Sequence, residues 1–212
     1  MPKCFYSLDF SSQIVHNMSS ISSLIFLTGD GMNKYLKNLR RIEFIITNDC
    51  TGKCKHCSQG EHRKSGIHID KEAACRVICD TIKEYDIHSV MTFGGEPIIY
   101  YDITCAILSA ATEAKIPHRQ LITNGFFSNN EEKIKFVANQ LGKSGVNDIL
   151  LSVDAFHEET IPLSPVMLFA SEIKKLGLNI KTSPAWLVNK GHDNEYNRKT
   201  ADMRFFSIFH KK

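Results

Sequence analysis

Ile42-Glu-Phe-Ile-Ile-Thr47-Asn-Asp-Cys50-Thr-Gly-Lys-Cys54-Lys-His-Cys57 is the stretch from which the rest of the chain can be read. Its first six residues form an apolar run rich in β-branched side chains, the composition of a buried strand. Directly after it comes a C-x3-C-x2-C spacing. An iron–sulfur cluster normally takes four cysteine ligands, so three thiolates in one short loop can hold three irons of a cubane and leave the fourth iron open. Gly52 lets such a loop fold tightly. The alternative is a structural zinc site completed by His56 or His62. Zinc motifs usually show a second C-x2-C half some distance away, and none is visible, which favours the cluster.

The chain has seven cysteines: Cys4, Cys50, Cys54, Cys57, Cys75, Cys79 and Cys105. An odd count with three crowded into one loop makes a poor disulfide framework. Cys75 and Cys79 share an apolar helical stripe with Ile78 and Ile82, where free cysteine acts as a small hydrophobe.

Working outward, similar apolar runs follow at Ser89–Phe93, Gln120–Thr123, Ile149–Val153 and Ile180–Val188. After the first, wider gap their starts lie roughly thirty residues apart, the size of a βα unit. Between them, Ile134, Val137, Ala138 and Leu141 mark one buried helix face, capped by Asn129 or Asn130 with Glu131 and Glu132 in the first turn. Val166, Phe169, Ala170 and Ile173 mark another, with Ser164 as cap, Pro165 at the first position and Gly177 just past the end. Strands alternating with helices predict an α/β fold with a parallel sheet.

At 212 residues the chain fits one domain, and 42% hydrophobic residues are enough for a core. Lys+Arg 26 against Asp+Glu 23 leaves a net charge of +3, too near neutral for a dedicated nucleic-acid binder. No stretch approaches the roughly 18 apolar residues of a membrane helix. Nor is there a secretory signal, so the expected compartment is the cytoplasm. Residues 1–31 are serine-rich and without clear period. They read as a poorly ordered extension, with Met32 as an alternative native start and residues 32–212 as the domain.

The cysteine loop resembles the signature of the radical S-adenosylmethionine (radical SAM) enzymes, and Thr92-Phe93-Gly94-Gly95-Glu96-Pro97 at the end of the second strand resembles their GGE(P) element. The resemblance implies a [4Fe–4S] cluster on Cys50, Cys54 and Cys57, with S-adenosylmethionine (SAM) chelating the open iron. It implies that Gly94, Gly95 and Glu96 contact the SAM amino group, and that Asn124, Ser152 and Asp154 at later strand ends contact its ribose or methionyl part. Two glycines permit close backbone approach, and a carboxylate suits an ammonium. The implied activity is reductive SAM cleavage to a 5′-deoxyadenosyl radical that abstracts hydrogen from an unidentified peptide or small molecule. A flavodoxin or ferredoxin would serve as electron donor.

The implied fold is a partial (β/α) barrel of five to six units. Only five are readable, so the C-terminal end reads as incomplete. The glycine-rich strand that meets the adenine in the family has no counterpart here. Two rivals follow: a truncated or degenerate member that binds a cluster with little activity, and a zinc-stabilised binding module.

His56 stands where many family members have an aromatic residue. His157-Glu158-Glu159 reads mainly as a solvated loop, and the lone Trp186 as packing. Lys53, Lys55, His62, Arg63 and Lys64 make the cysteine loop basic, which would suit an acidic donor.

Overall fold

A computed structural model describes residues 38–58, 60 and 65–203. The expected extension at residues 1–31, Met32 and the last nine residues lie outside them. Five strands, β1 (Arg41–Ile45), β2 (Ser89–Phe93), β3 (His118–Thr123), β4 (Asp148–Leu151) and β5 (Ile180–Thr182), form one parallel sheet in the order β1-β2-β3-β4-β5. Chain order equals spatial order because each strand is returned to its neighbour's side by one helical crossover. These crossovers contain α1 (Lys71–Glu84), α2 (Tyr101–Glu113), α3 (Glu131–Ser144) and α5 (Leu163–Lys175). A 3-10 turn (Pro97–Tyr100), the short α4 (Ala155–Glu158) and α6 (Glu195–Asp202) complete the described elements.

One face of the sheet carries the core. Phe44, Val90, Leu121, Ile149 and Leu151 are buried beneath Ile78, Ile107, Leu141 and Phe169 of the helices. The stripes read from the sequence are the ones that point inward: Ile134, Val137, Ala138 and Leu141 of α3, and Val166, Phe169, Ala170 and Ile173 of α5, are each no more than 1% exposed. The alternate strand residues line the opposite, helix-free face. There Arg41 donates to Gln120 Oε1 (2.8 Å), Gln120 donates to Asp148 Oδ2 (2.9 Å) and Lys181 lies 3.3 Å from Asp148 Oδ1. This polar band spans the sheet from β1 to β5 and leaves the opposite strand ends for the site.

β1 runs Arg41–Ile45 rather than Ile42–Thr47 and β3 starts at His118 rather than Gln120; three further boundaries differ from expectation. β5 stops at Thr182, not Val188: Ser183 N still reaches Leu151 O (2.8 Å), but Pro184 has no N–H, and Ala185 N turns away to Asp154 Oδ2 (2.9 Å). β4 ends at Leu151 because Asp154 is already an N-cap, of α4. α5 begins at Leu163 without a side-chain cap rather than after Ser164; Pro165 still falls within the first turn, where its missing N–H costs nothing. Asn130 and Gly177 behave as read: Asn130 Oδ1 accepts from Lys133 N (2.9 Å), and Gly177 takes φ +72° just beyond α5.

Candidate functional site

The cysteine segment leaves β1 and returns to the place where it began. Ile69 N donates to Ile46 O (2.8 Å), and Thr47 forms an antiparallel bridge with His68. Asp49 clasps the two ends. Its Oδ1 accepts from Ser65 N (2.7 Å) and Ser65 Oγ (2.8 Å), its Oδ2 from Gly66 N (2.8 Å) and Tyr100 OH (3.3 Å). These donors, the Ser65 N–H foremost, hold the carboxyl below its usual range. On the inner side of the loop, Thr51 Oγ1 donates to Phe126 O (2.6 Å), and Cys57 N donates to Cys54 O (3.1 Å).

Cys50, Cys54 and Cys57 open together into one cavity of about 330 Å³ at the C-terminal ends of the strands, with no disulfide among them. Gly94, Gly95, Asn124, Ser152, Asp154, His157 and Ser183 line it as well. A Cβ on Gly52 would lie 2.8 Å from Ile161 Cδ1 and 3.4 Å from Cys54 Sγ, so glycine lets the loop fold onto α5's entry. Gly52 N (3.4 Å) and Asn124 Nδ2 (3.5 Å) both donate to Cys50 Sγ. Burial pushes the Cys50 thiol up to about 11, so an unliganded Cys50 is protonated at neutral pH. A bound cation would offset that desolvation. Three convergent thiols, N–H donors aimed at sulfur and an open cavity beside them fit a thiolate-ligated cluster with one free coordination position.

The two glycines are required by backbone contact. Gly95 N donates to Thr47 O and Glu96 N to Asp49 O, both at 2.8 Å, zipping the end of β2 to the residues just before Cys50. A Cβ would meet Thr47 O at 2.3 Å from Gly94, which has φ +148°, and Asp49 O at 2.2 Å from Gly95. The cavity wall here is bare backbone.

Glu96 does not face the cavity. It is 0% exposed, its Oε1 accepting from Thr123 Oγ1 (2.7 Å) and Ile98 N (3.1 Å), its Oε2 from Asn124 N (2.8 Å). Burial nevertheless pushes its carboxyl up to about 7. The geometry makes Glu96 a strut that fixes the end of β3, and with it the Asn124 amide over Cys50, rather than a ligand-facing anion.

Asp154 lines the cavity wall but is likewise enclosed. Phe156 N (2.9 Å) and His157 N (3.0 Å) donate to its Oδ1 and Ala185 N (2.9 Å) to its Oδ2. His157, read mainly as part of a solvated loop, is brought into the cavity by α4. Its Nδ1 lies 2.9 Å from Asp154 Oδ1 as an ion pair, although the N–H is not aligned for a hydrogen bond. Burial opposes its charge, but Asp154 and the Cys54 sulfur prevail and raise the imidazole to about 9. Glu158 and Glu159 do face solvent, pairing with Lys199 and Lys55.

His56 packs its ring against Phe156 (4.6 Å), which stacks on Tyr196 (4.2 Å). Trp186 is outside the cavity lining and half-buried, with Lys190 Nζ 5.8 Å from its ring centroid. His62, Arg63 and Lys64 lie outside the described residues. Sequence reasoning missed Asp49 and Tyr196. An acidic residue abutting the first cysteine was the available signal for Asp49; Tyr196 carried none.

The family model described as "Radical SAM superfamily" matches residues 44–180. A probable GTP 3′,8-cyclase of Methanocaldococcus jannaschii is 24% identical over 127 residues, 60% of this chain and 40% of that protein. The GTP 3′,8-cyclase of Desulforamulus reducens is 25% identical over 132 residues, 61% and 38% of the two chains. A 7-carboxy-7-deazaguanine synthase of Methanothermobacter thermautotrophicus is 31% identical over 97 residues, 45% and 37% of the two. The chain thus spans about 40% of the length of the curated relatives it matches.

Among solved structures, Streptococcus suis SuiB bound to precursor peptide SuiA superposes with a TM-score of 0.57 at 18% identity, covering 80% of this chain and 37% of that one. HydG, a maturase of the [FeFe]-hydrogenase, gives 0.51 at 16% identity, covering 80% and 39%. These likenesses place the five-stranded sheet among partial (β/α) barrels. The matched segment takes in all three loop cysteines, Gly94–Gly95 and three complete strands, and the chain belongs to the radical SAM superfamily, whose members use a [4Fe–4S] cluster and SAM.

Proposed function

We propose that this chain is the catalytic core of a radical SAM enzyme. The observation that carries the reading is the convergence of Cys50, Cys54 and Cys57 with the bare backbone of Gly94 and Gly95 on one cavity at the strand ends. In this reading the three cysteines hold a [4Fe–4S] cluster. When bound, the cluster supplies one electron that cleaves SAM and so yields the 5′-deoxyadenosyl radical used for hydrogen abstraction.

The chain's own residues bind and orient. Gly94 and Gly95 let the ligand's charged amino end approach main chain, and the buried Glu96 strut keeps Asn124 over Cys50. Ser152 and Ser183 offer hydroxyls on the opposite wall, and Asp154 fixes that wall by capping α4. Residues 32–212 make up the domain.

The electron donor in this reading is a small redox protein such as a flavodoxin or ferredoxin, and the compartment is the reducing cytoplasm, where free cysteines persist. The relatives are named for GTP and deazaguanine chemistry and SuiB for a peptide, so the hydrogen-donating substrate stays general: a small molecule or a peptide.

The test is anaerobic reconstitution with iron and sulfide, followed by dithionite, SAM and an assay for 5′-deoxyadenosine. Roughly four irons per chain with deoxyadenosine formed supports the proposal. Four irons without cleavage selects a degenerate cluster-binding protein, and zinc in place of iron overturns the assignment. Cys54→Ala is expected to lose both the cluster and the cleavage.

A further inference from the structure

The chain from Ser183 to Met203 lies beyond the residues that the family model matches, yet it is tied to the elements that hold the cysteine loop. Ala185 N donates to Asp154 Oδ2 (2.9 Å) as the chain leaves the sheet. Asn197 of α6, 5% exposed, gathers the loop that follows. Its Oδ1 accepts from Leu187 N (2.9 Å), and its Nδ2 donates to Asn189 O (2.8 Å) and His192 O (2.7 Å). These bonds fix where α6 starts. From α6, the buried Thr200 Oγ1 accepts from Ala155 N (3.0 Å), the first amide of α4.

Two routes then run from Tyr196 of α6 to the limb that carries Cys54 and Cys57. One is a row of rings. Tyr196 lies nearly flat on Phe156 of α4, at 4.2 Å and 11°, and Phe156 packs at 4.6 Å against His56, the residue directly before Cys57. The other is polar. Tyr196 OH donates to Glu159 Oε1 (2.6 Å) and accepts from Lys55 Nζ (3.2 Å). Lys55 is exposed, and surface ion pairs of this kind contribute little. Phe156 is 6% exposed, so the ring contacts are the ones that resist displacement.

We infer that Tyr196 is a positioning residue for the cysteine loop: through Phe156 and His56 it sets where the Cys54–Cys57 limb stands and so keeps those two thiols placed for their ligand. Residues 183–203 are then a working part of the site. Tyr196 touches neither the thiols nor the cavity; it acts through the two rings between.

The link to a cluster rests on the radical SAM reading and the link to the loop does not, so the test has two arms. In the iron-free protein, hydrogen exchange of the peptide covering residues 53–57 is followed by mass spectrometry. Its reporting amides are Lys53 N, bonded to Thr160 Oγ1 (3.0 Å), and Cys57 N, bonded to Cys54 O (3.1 Å). Tyr196→Leu keeps apolar bulk on α6 but has no ring to stack. It should raise exchange in this peptide roughly two- to tenfold, with peptides from β2 to β4 unchanged. Tyr196→Phe keeps the ring and should restore wild-type protection. Lys199→Ala removes a different α6 contact, the pair with Glu158 (3.3 Å), and should leave the loop protected. Exchange unchanged in Tyr196→Leu, or raised equally in Tyr196→Phe or Lys199→Ala, overturns the inference.

In the reconstituted protein at equal iron content, the EPR spectrum of the dithionite-reduced cluster and the rate of iron loss to a chelator are compared. Tyr196→Leu should alter the spectrum and lose iron roughly two- to tenfold faster, and Tyr196→Phe should do neither. A wild-type spectrum and rate in Tyr196→Leu also overturn the inference. Failure of wild type to bind iron counts against the cluster reading alone, because the first arm needs no metal.

Discussion

Replacing Gly95 with alanine isolates the contact on which the site's geometry depends. The added Cβ would lie 2.2 Å from Asp49 O and 2.8 Å from Asn48 O, where ordinary contact begins at 3.4 Å. Both neighbours are main chain, so no side chain can rotate aside; the end of β2 and the Asn48–Asp49 backbone must part by about 1 Å. Overpacking of this kind costs about 1–3 kcal/mol. Separation also strains two buried backbone bonds, Gly95 N to Thr47 O and Glu96 N to Asp49 O, worth about 1 kcal/mol each. A total near 3–5 kcal/mol corresponds to a loss of roughly 10 °C in Tm for a chain of this size.

The displaced residues also immediately precede Cys50, so cluster loading should fall with stability. The assay is thermal unfolding of the iron-free protein by circular dichroism, paired with iron content after reconstitution. Gly142→Ala is the control: it lies inside α3, its Cβ would make ordinary contacts with Leu176 Cδ1 at 3.4 Å and Leu178 Cδ1 at 3.9 Å, and it should gain about 0.5–1 kcal/mol. A Gly95→Ala protein with wild-type Tm and full iron would refute the argument that bare backbone is needed there.

Three further outcomes are expected. Asp49→Asn keeps the shape but turns an acceptor into a donor facing Gly66 N and Tyr100 OH; it should cost about 1–3 kcal/mol and lower iron uptake, and normal uptake would show that the clasp is dispensable. Phe169→Ala empties a fully buried site beside Phe127 and should cost about 3–5 kcal/mol in urea denaturation, a loss below 1 kcal/mol being the contrary result. The third concerns Glu96, whose folded-state carboxyl is raised from 4.5 to about 7. The folded state therefore binds the proton more tightly, and the contribution is fully present below pH 4.5 and lost as pH rises through 7. Relative to Glu96→Gln, wild type should lose up to about 3 kcal/mol of stability between pH 4.5 and 8; a wild type that holds or gains stability relative to the variant as pH rises would contradict the buried placement.

The cysteine loop, the five strands and the three core stripes were legible because each is a local pattern. The spacing of Cys50, Cys54 and Cys57 encodes a ligand set within eight residues, and apolar periods of two and 3.6 encode strand and helix without reference to anything distant. The wide gap after β1 was visible as well, since a loop and a helix must both fit between β1 and β2. Strand ends were less legible. β5 was read too long because Ala185-Trp186-Leu187-Val188 remains apolar after Pro184 has already ended the ladder.

What the sequence by itself determined is the fold class, the family-defining thiols and the glycines that must lie against main chain. Only the tertiary structure decided what the carboxylates do. Glu96, Asp154 and Asp49 all sit beside the loop or at strand ends; Glu96 and Asp154 read as ligand contacts, and Asp49 went unread. Yet Glu96 spans from β2 to β3, Asp154 from α4 to the segment after β5, and Asp49 from Cys50's doorstep to Ser65 and Tyr100. Their donors come from residues up to 51 positions away. A carboxylate's role follows from which N–H groups surround it and how little water remains, and that is a property of neighbours in space that no local period records.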